Sequence, residues 1–184
     1  MAVEEQKKKL IGEPVNFIRR LWGHWIDGFV MAPLLAAITY FYPPSKGYFM
    51  MVLLEIFLYM MYYVITHGSR WHATVGKRIL KAKVVGLDGE GISYLRATAR
   101  FIMLMLPVSP VFVVSLIAIY LGAPGLRQYI NNMHDIMILQ WVLYASVLFS
   151  LLLTVIWYIP VLFTEERKGV HDMVCRTRVI KRKT

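Results

Sequence analysis

The composition of this 184-residue chain indicates a lipid environment rather than water. Hydrophobic residues make up 58% of the sequence and its mean hydropathy is +0.53, whereas soluble domains are roughly 45–50% apolar. The net charge of +10 would suit a nucleic-acid partner only on a soluble protein with a basic face, so we expect no nucleic-acid binding. The length accommodates several spans with short connections, and we expect one domain over residues 1–184.

The start of the chain, residues 1–9, is charged and has no apolar run before a small-residue cleavage site. We therefore expect the first span, not a removed signal peptide, to act as the targeting signal. The single cysteine, Cys175, cannot form an intramolecular disulfide. It is expected to fill space in the fold.

Four apolar windows are long enough to cross a bilayer. They cover residues 22–42, 48–66, 101–121 and 136–163. The first window is the weakest because Asp27 lies inside it, but Pro43, Pro44 and Gly47 predict a tight turn into the second window. The sequence therefore predicts an all-α membrane protein, a bundle of four transmembrane helices.

The basic residues predict the orientation of the bundle. All 21 Lys and Arg residues except Lys46 and Arg127 lie before the first window, in the loop 67–100 or in the tail 164–184. By the positive-inside rule, both termini are expected in the cytoplasm. The basic side chains there are expected to contact anionic lipid headgroups.

The loop and the tail also carry β signals. Residues 79–85 alternate apolar and basic side chains, and Asp88 and Gly89 supply a turn, which predicts a β-hairpin. Residues 175–181 alternate again and are expected to add a third strand. Ser93 is predicted to cap an amphipathic helix that leads into the third span. The expected cytoplasmic element is a small β-hairpin or a three-stranded sheet.

Three motifs occur in an order that resembles the RDD family of small polytopic membrane proteins. They are Arg20-Leu-Trp-Gly-His-Trp-Ile-Asp27, Ala73-Thr-Val-Gly-Lys-Arg-Ile-Leu80, and Arg167-Lys-Gly-Val-His-Asp172 with Thr177 and Val179 after it. The resemblance implies Arg20, Asp27 and Asp172 as the name-giving residues. It also implies transport, with cation or proton exchange suggested for some members, and a bacterial inner membrane. Gly23-His24 and Cys175-Arg176 depart from the small residues that are usual there.

The first motif places three polar side chains on one helix face, because His24 lies four residues after Arg20 and three before Asp27. One interpretation is a proton or cation relay at the membrane boundary. The other is a structural clasp in which Asp27 accepts from Arg or Lys and Arg20 reaches lipid phosphate. Asp172 is expected to contact Arg20 or the Lys77-Arg78 pair.

Glu55 is the deepest ionisable residue of the predicted spans, ~10 Å into the second one. Tyr48, Met51, Tyr59 and Tyr62 share its helical stripe. It is either a neutral acid hydrogen-bonded within the bundle or a carboxylate that binds protons or cations during transport. In the third span, Pro107 and Pro110 predict a break.

Two functions remain open. The first is a small transporter or transporter subunit, expected to form a homo-oligomer or to bind another membrane protein, with Glu55, His24 and Asp27 as candidate ion or proton site. The second is a non-catalytic scaffold or accessory subunit that binds a partner or anionic lipid through a cytoplasmic motif face of Thr74, Gly76, Lys77, Arg78, Arg167 and His171. We expect no enzyme, no metal site and no cofactor, because the sequence shows no nucleophile triad, phosphate loop or ligand spacing.

Overall fold

The structure, a computed structural model, describes residues 12–41, 48–121 and 133–182. Its helices and strands are α1 Phe17–Phe41, α2 Tyr48–Gly68, α3 Val75–Ile79, β1 Ala82–Gly86, α4 Tyr94–Met105, a 3-10 turn Leu106–Val108, α5 Ser109–Leu121, α6 Met133–Tyr158, α7 Pro160–Phe163, α8 Val170–Val174 and β2 Thr177–Lys181. The predicted turn at Pro43, Pro44 and Gly47 lies outside the described residues.

Four helical segments are long and apolar enough to cross a membrane, which confirms the predicted number of spans. They are Phe17–Phe41, Phe49–Gly68, Tyr94–Ala118 and Met137–Phe163. The third begins earlier than predicted because the Ser93 side chain accepts from the backbone N–H of Arg96 and starts α4 there. The 3-10 turn that contains Pro107 then joins α4 to α5, since proline cannot donate to the helix ladder.

The sheet consists of β1 and β2, paired antiparallel, within the described part of the chain. The three-stranded element is therefore not confirmed. After β1 the chain turns at Asp88, whose carboxylate accepts from the backbone N–H of Glu90 at 3.0 Å. Only an isolated bridge between Val85 and Gly91 follows, because α4 begins at Tyr94 and leaves no residues for a strand.

The segment 72–86, here called the first module, has the same backbone course as the segment 167–181, called the second module. Each begins at a residue with positive φ, 48° at His72 and 50° at Arg167. Each continues with a five-residue helix, another positive φ near 50° and a five-residue strand. The sequences correspond at matching spacing, for example Val75 with Val170, Lys81 with Arg176, Lys83 with Arg178 and Val84 with Val179.

The sheet register relates the two modules by a two-fold axis. Val84 pairs with Val179, which is its own equivalent, and the remaining pairs of the ladder are arranged symmetrically about this central pair. The correspondence extends into the preceding spans, because the second span ends at Gly68 and the fourth at its equivalent, Phe163. The chain therefore contains two parallel repeats, each with a span that leads into a module. This duplication was not predicted from the sequence.

The modules close one end of the bundle, here called the polar end. A small core lies there, formed by the buried side chains of Val15, Ala82, Val84, Ile92, Ala97 and Val179. The backbone N–H of Val15, just before α1, donates to the carbonyl of Val179 at 3.0 Å. The core therefore fixes the modules against the starts of α1 and α4, where the buried polar side chains lie.

Candidate functional site

Asp172 lies in α8 at the centre of the polar end, and none of its side chain is exposed. Its Oδ2 forms an ion pair with the guanidinium of Arg20 from α1, and its Oδ1 lies 2.5 Å from Nη2 of Arg100 from α4. Burial alone would raise the pKa of this carboxyl, but Arg100, His171 and Arg20 together hold the pKa far below its usual range. Asp172 is therefore a charged anchor for two membrane helices.

Arg20 confirms the predicted contact with Asp172 and corrects the prediction that it reaches lipid. It is 3% exposed, and two further donors go to the protein: Nε to the carbonyl of Val15 at 3.3 Å and Nη2 to the carbonyl of Arg167 at 2.5 Å. The guanidinium therefore ties α1 to α8 and to the loop before it. At this burial the guanidinium does not reach lipid phosphate.

Arg100 belongs to the same cluster and was missed in the sequence, where it was assigned to the loop. Its Nε donates to the Tyr63 hydroxyl at 3.2 Å and its Nη1 to the Thr177 hydroxyl at 2.5 Å. It joins α2, α4, α8 and β2 in one network. Its position next to the apolar third window was a signal, but a basic residue at that position is ordinarily assigned to the membrane interface.

Asp27 is buried and accepts only from neutral donors. The Tyr62 hydroxyl lies 2.7 Å and the backbone N–H of Gly76 2.7 Å from Oδ1, and the Thr74 hydroxyl lies 2.6 Å from Oδ2. Among the described residues, no cation forms an ion pair with it. The prediction that Asp27 accepts from Arg or Lys is therefore wrong, because the Thr74 hydroxyl and the Gly76 N–H at the start of α3 bind the carboxylate instead.

Gly76 allows the start of α3 to approach Asp27 this closely. A Cβ at Gly76 would overlap the carbonyl oxygen of Gly23 in α1 and lie 2.9 Å from Oδ1 of Asp27. A Cβ at Gly23 would lie 3.3 Å from Cγ of Lys77. Helices α1 and α3 therefore meet backbone to backbone, and this close approach brings the Gly76 N–H to Asp27.

Lys77 is buried beside His67, the last titratable residue of α2. Its Nζ lies 3.2 Å from Nε2 of His67 and 5.1 Å from the centroid of the Tyr63 ring. None of the described carboxylates forms an ion pair with it. Burial lowers the pKa of Lys77 to about 7; Arg100 adds to this effect, and Asp27 and Asp172 oppose it.

The predicted stripe of Arg20, His24 and Asp27 is directed toward three different elements. Arg20 contacts α8, Asp27 contacts α3, and Nε2 of His24 lies 3.3 Å from the hydroxyl of Tyr158 in α6. The Tyr158 ring in turn lies 5.4 Å from the ring of His171. Burial lowers the pKa of His171 to about 3, although Asp172 opposes this shift. The stripe is therefore a set of contacts between α1 and three other helices.

The expected motif face is mostly interior. Four of its members are buried, namely Thr74, Gly76, Lys77 and His171, and two are exposed, Arg78 and Arg167. The guanidinium of Arg78 lies over the ring of Trp71, 4.1 Å from its centroid. A partner or a lipid headgroup can therefore reach Arg78 and Arg167 but not the rest of the motif.

Glu55 is half-buried and has no hydrogen-bond or ion-pair partner among the described residues. It shares a face of α2 with Tyr59 and Tyr62, and Tyr62 contacts Asp27. Its equivalent in the fourth span is Ser150, which is 2% exposed and whose hydroxyl also has no partner in the described chain. The second and fourth spans therefore each carry, at equivalent positions, a polar side chain without a partner among the described residues.

Cys175 occupies the position of the second module that Leu80 occupies in the first. Its thiol is buried and not disulfide-bonded, and burial raises its pKa. Such a thiol is poorly ionised and packs as a small hydrophobe. Over the described ranges, no group of three or more His, Cys, Asp or Glu is placed to hold a metal ion.

These features define an α-helical membrane protein with four spans, closed at one end by two helix and strand modules and by buried Arg and Asp side chains. The chain belongs to the RDD family, whose model matches residues 14–176 and so includes Arg20, Asp27 and Asp172.

A similar protein is the uncharacterized protein YxaI of Bacillus subtilis (strain 168), at 25% identity over 129 residues. The aligned part covers 70% of this chain and 56% of the length of YxaI. No solved structure matches the chain.

Proposed function

We propose that this protein is a small membrane transporter, or a subunit of one, that exchanges protons for cations. The observation that supports this function best is the contrast between the two buried carboxylates. Asp172 is neutralised by two arginines, whereas the donors to Asp27 among the described residues are hydroxyl and amide groups. An ionisable group at a membrane boundary without a counter-charge is a candidate for reversible neutralisation by a proton or a cation.

A polar row leads from Asp27 toward the middle of the bundle. Tyr62, Tyr59 and Glu55 follow one another on one face of α2 and extend over ~10 Å. The buried hydroxyl of Ser150, the equivalent of Glu55 in the fourth span, has no hydrogen-bond partner among the described residues. An unmet buried polar group costs ~1–3 kcal/mol unless water or an ion satisfies it. The row therefore supports a hydrated path between Glu55 and Asp27.

The parallel repeats support the same function. Several secondary transporters are built from repeats related by an axis along the membrane normal, with ion sites at the repeat interface. Four helices enclose little space, so we propose a homo-oligomer or a complex with another membrane protein. The exposed Arg78 and Arg167 at the polar end support an orientation with this end, and both termini, in the cytoplasm of a bacterial inner membrane.

The test is cation-driven proton flux in vesicles that contain purified protein and a pH-sensitive dye. Glu55→Gln should lose at least about tenfold of the flux, because the amide keeps the shape but cannot bind and release a proton. Asp27→Asn should also lose flux, measured per amount of folded protein. The control is Glu90→Gln, at an exposed turn. Absent wild-type flux with sodium, potassium and lithium, or unchanged flux in both variants, would reject the proposal.

A second candidate function is a non-catalytic accessory subunit, and the exposed pair of Arg78 and Trp71 favours it. Near this pair the polar end also exposes Ile79, whose side chain is 61% exposed, so a partner or anionic lipid could bind there. Arg78→Glu and Arg167→Glu should then release the partner or weaken binding to anionic vesicles. Glu55→Gln should leave this binding unchanged, which separates the two functions.

A further inference from the structure

We propose that Lys77 and His67 form a proton-binding site that takes up and releases one proton while the protein stays folded. As the proton site of the exchange, the pair rests on the proposed function. As a site that titrates, it stands on the contacts and burial of the two side chains and does not depend on transport.

The geometry defines a donor and an acceptor. Nδ1 of His67 lies 2.8 Å from the carbonyl oxygen of Tyr63, which can only accept, so Nδ1 carries the hydrogen. The lone pair on Nε2 therefore faces Nζ of Lys77 at 3.2 Å. Lys77 is 3% exposed and His67 is 0% exposed. The pair is therefore almost entirely enclosed by protein.

The surroundings do not hold that proton firmly. Charged and titratable groups reach Lys77 from four helices, namely Arg20, His24 and Asp27 of α1, Tyr63 and His67 of α2, Arg100 of α4, and His171 and Asp172 of α8. Both carboxylates already accept from other donors. Burial outweighs their attraction, and the pKa of Lys77 falls to about 7. Near neutral pH, Lys77 is therefore present both as the ammonium and as the free amine.

The second module shows that the fold itself does not require this pair. The position of Lys77 is occupied there by Asp172, and the position of His67 by Leu162, which is 63% exposed. The second repeat forms the same helix, turn and strand without a lysine at the position of Lys77 or an imidazole at the position of His67. The pair is thus an addition to the first repeat, at the position where the second repeat has its anchor.

Release of the proton leaves the contact intact. In the protonated state, one N–H of the Lys77 ammonium donates to Nε2 of His67. On release, a different N–H bond breaks, the electron pair stays on Nζ and the proton passes to water. The neutral amine still donates to Nε2. Neither state leaves the imidazole without its partner, so the pair can titrate without unfolding α3.

Nuclear magnetic resonance on protein labelled with ¹⁵N-histidine, in lipid nanodiscs, tests the proposal without any transport assay. The His67 signals, assigned by their loss in His67→Gln, should shift with a midpoint near pH 7, the pKa of Lys77. In Lys77→Met this titration should vanish. In Lys77→Arg it should also vanish, because the guanidinium stays charged. The second variant keeps the test decisive if the first does not fold.

The control is Lys81→Met, at an exposed position four residues later, which should keep the wild-type titration. A His67 signal that stays constant between pH 6 and 9 in the wild type, or a titration that persists in Lys77→Arg, would overturn the proposal. If the pair titrates but vesicles show no flux, the proposed function fails and the site remains. If flux occurs without the titration, the site fails and the function remains.

Discussion

The first and second modules share the same backbone conformation but carry opposite charges at one equivalent position, Lys77 in the first and Asp172 in the second. Asp172 of the second module is held by an arginine from α1 and an arginine from α4. Lys77 of the first module faces an imidazole and an aromatic ring. The comparison teaches that the module fold accepts either charge at the position of Lys77 and Asp172. The side chains that the neighbouring helices supply determine whether that residue keeps its charge or can titrate.

The largest effect is expected from Asp172→Asn, which removes the carboxylate between two buried guanidinium groups. Breaking a buried ion pair costs ~3–5 kcal/mol because the remaining charge stays uncompensated. We expect a large loss of folded protein and a lower Tm in detergent. Asp88→Asn, at an exposed turn, is the matched control. Wild-type yield and Tm in Asp172→Asn would show that the second module is not an anchor.

A smaller effect is expected from Gly76→Ala, which tests the backbone contact of the first module. The new Cβ would overlap the Gly23 carbonyl and push the Gly76 N–H away from Asp27. Overpacking of this kind costs ~1–3 kcal/mol. Gly28→Ala in α1 is the control, because a Cβ there meets nothing within 4 Å. Equal thermal stability of the two variants would contradict the close packing of α1 and α3.

The effect that is smallest over a single pH unit is a pH dependence of stability that distinguishes Lys77 from Asp172. The pKa of Lys77 is about 7 in the folded protein and 10.5 in the unfolded chain. Between these values the unfolded state binds more protons, so the free energy of unfolding rises with pH. The slope for one proton approaches ~1.4 kcal/mol per pH unit. Denaturant unfolding at several pH values measures it, and Lys77→Met should flatten it. An unchanged slope in the variant would assign the dependence to other groups.

The sequence was sufficient for the membrane architecture because span length and hydropathy are local properties. It also predicted the contact of Arg20 with Asp172, since both motifs return to the same end of the bundle. The partners of Asp27 were not predictable in this way. They are the hydroxyl of Tyr62 in α2, the hydroxyl of Thr74 before α3 and the backbone N–H of Gly76. Neutral donors produce no charge pattern in the sequence from which such a contact could be predicted.

Arg100 and the repeat were missed for a different reason. The burial of Arg100 depends on α8 and β2, which lie far along the chain and whose packing no local pattern reveals. The repeat preserves few identities, among them Val84 with Val179, within a basic and apolar alternation that many strands share. The shared φ values and the symmetric register make the relation visible.

The symmetric register of β1 and β2 also sets an order of assembly during synthesis. The ribosome makes β1 before the third and fourth spans and β2 after them. Until β2 emerges, β1 has an unpaired edge and Arg20 has no Asp172, so the polar end closes only after every span has been made. Because the register is self-complementary, two unfinished chains can pair their β1 strands with Val84 opposite Val84.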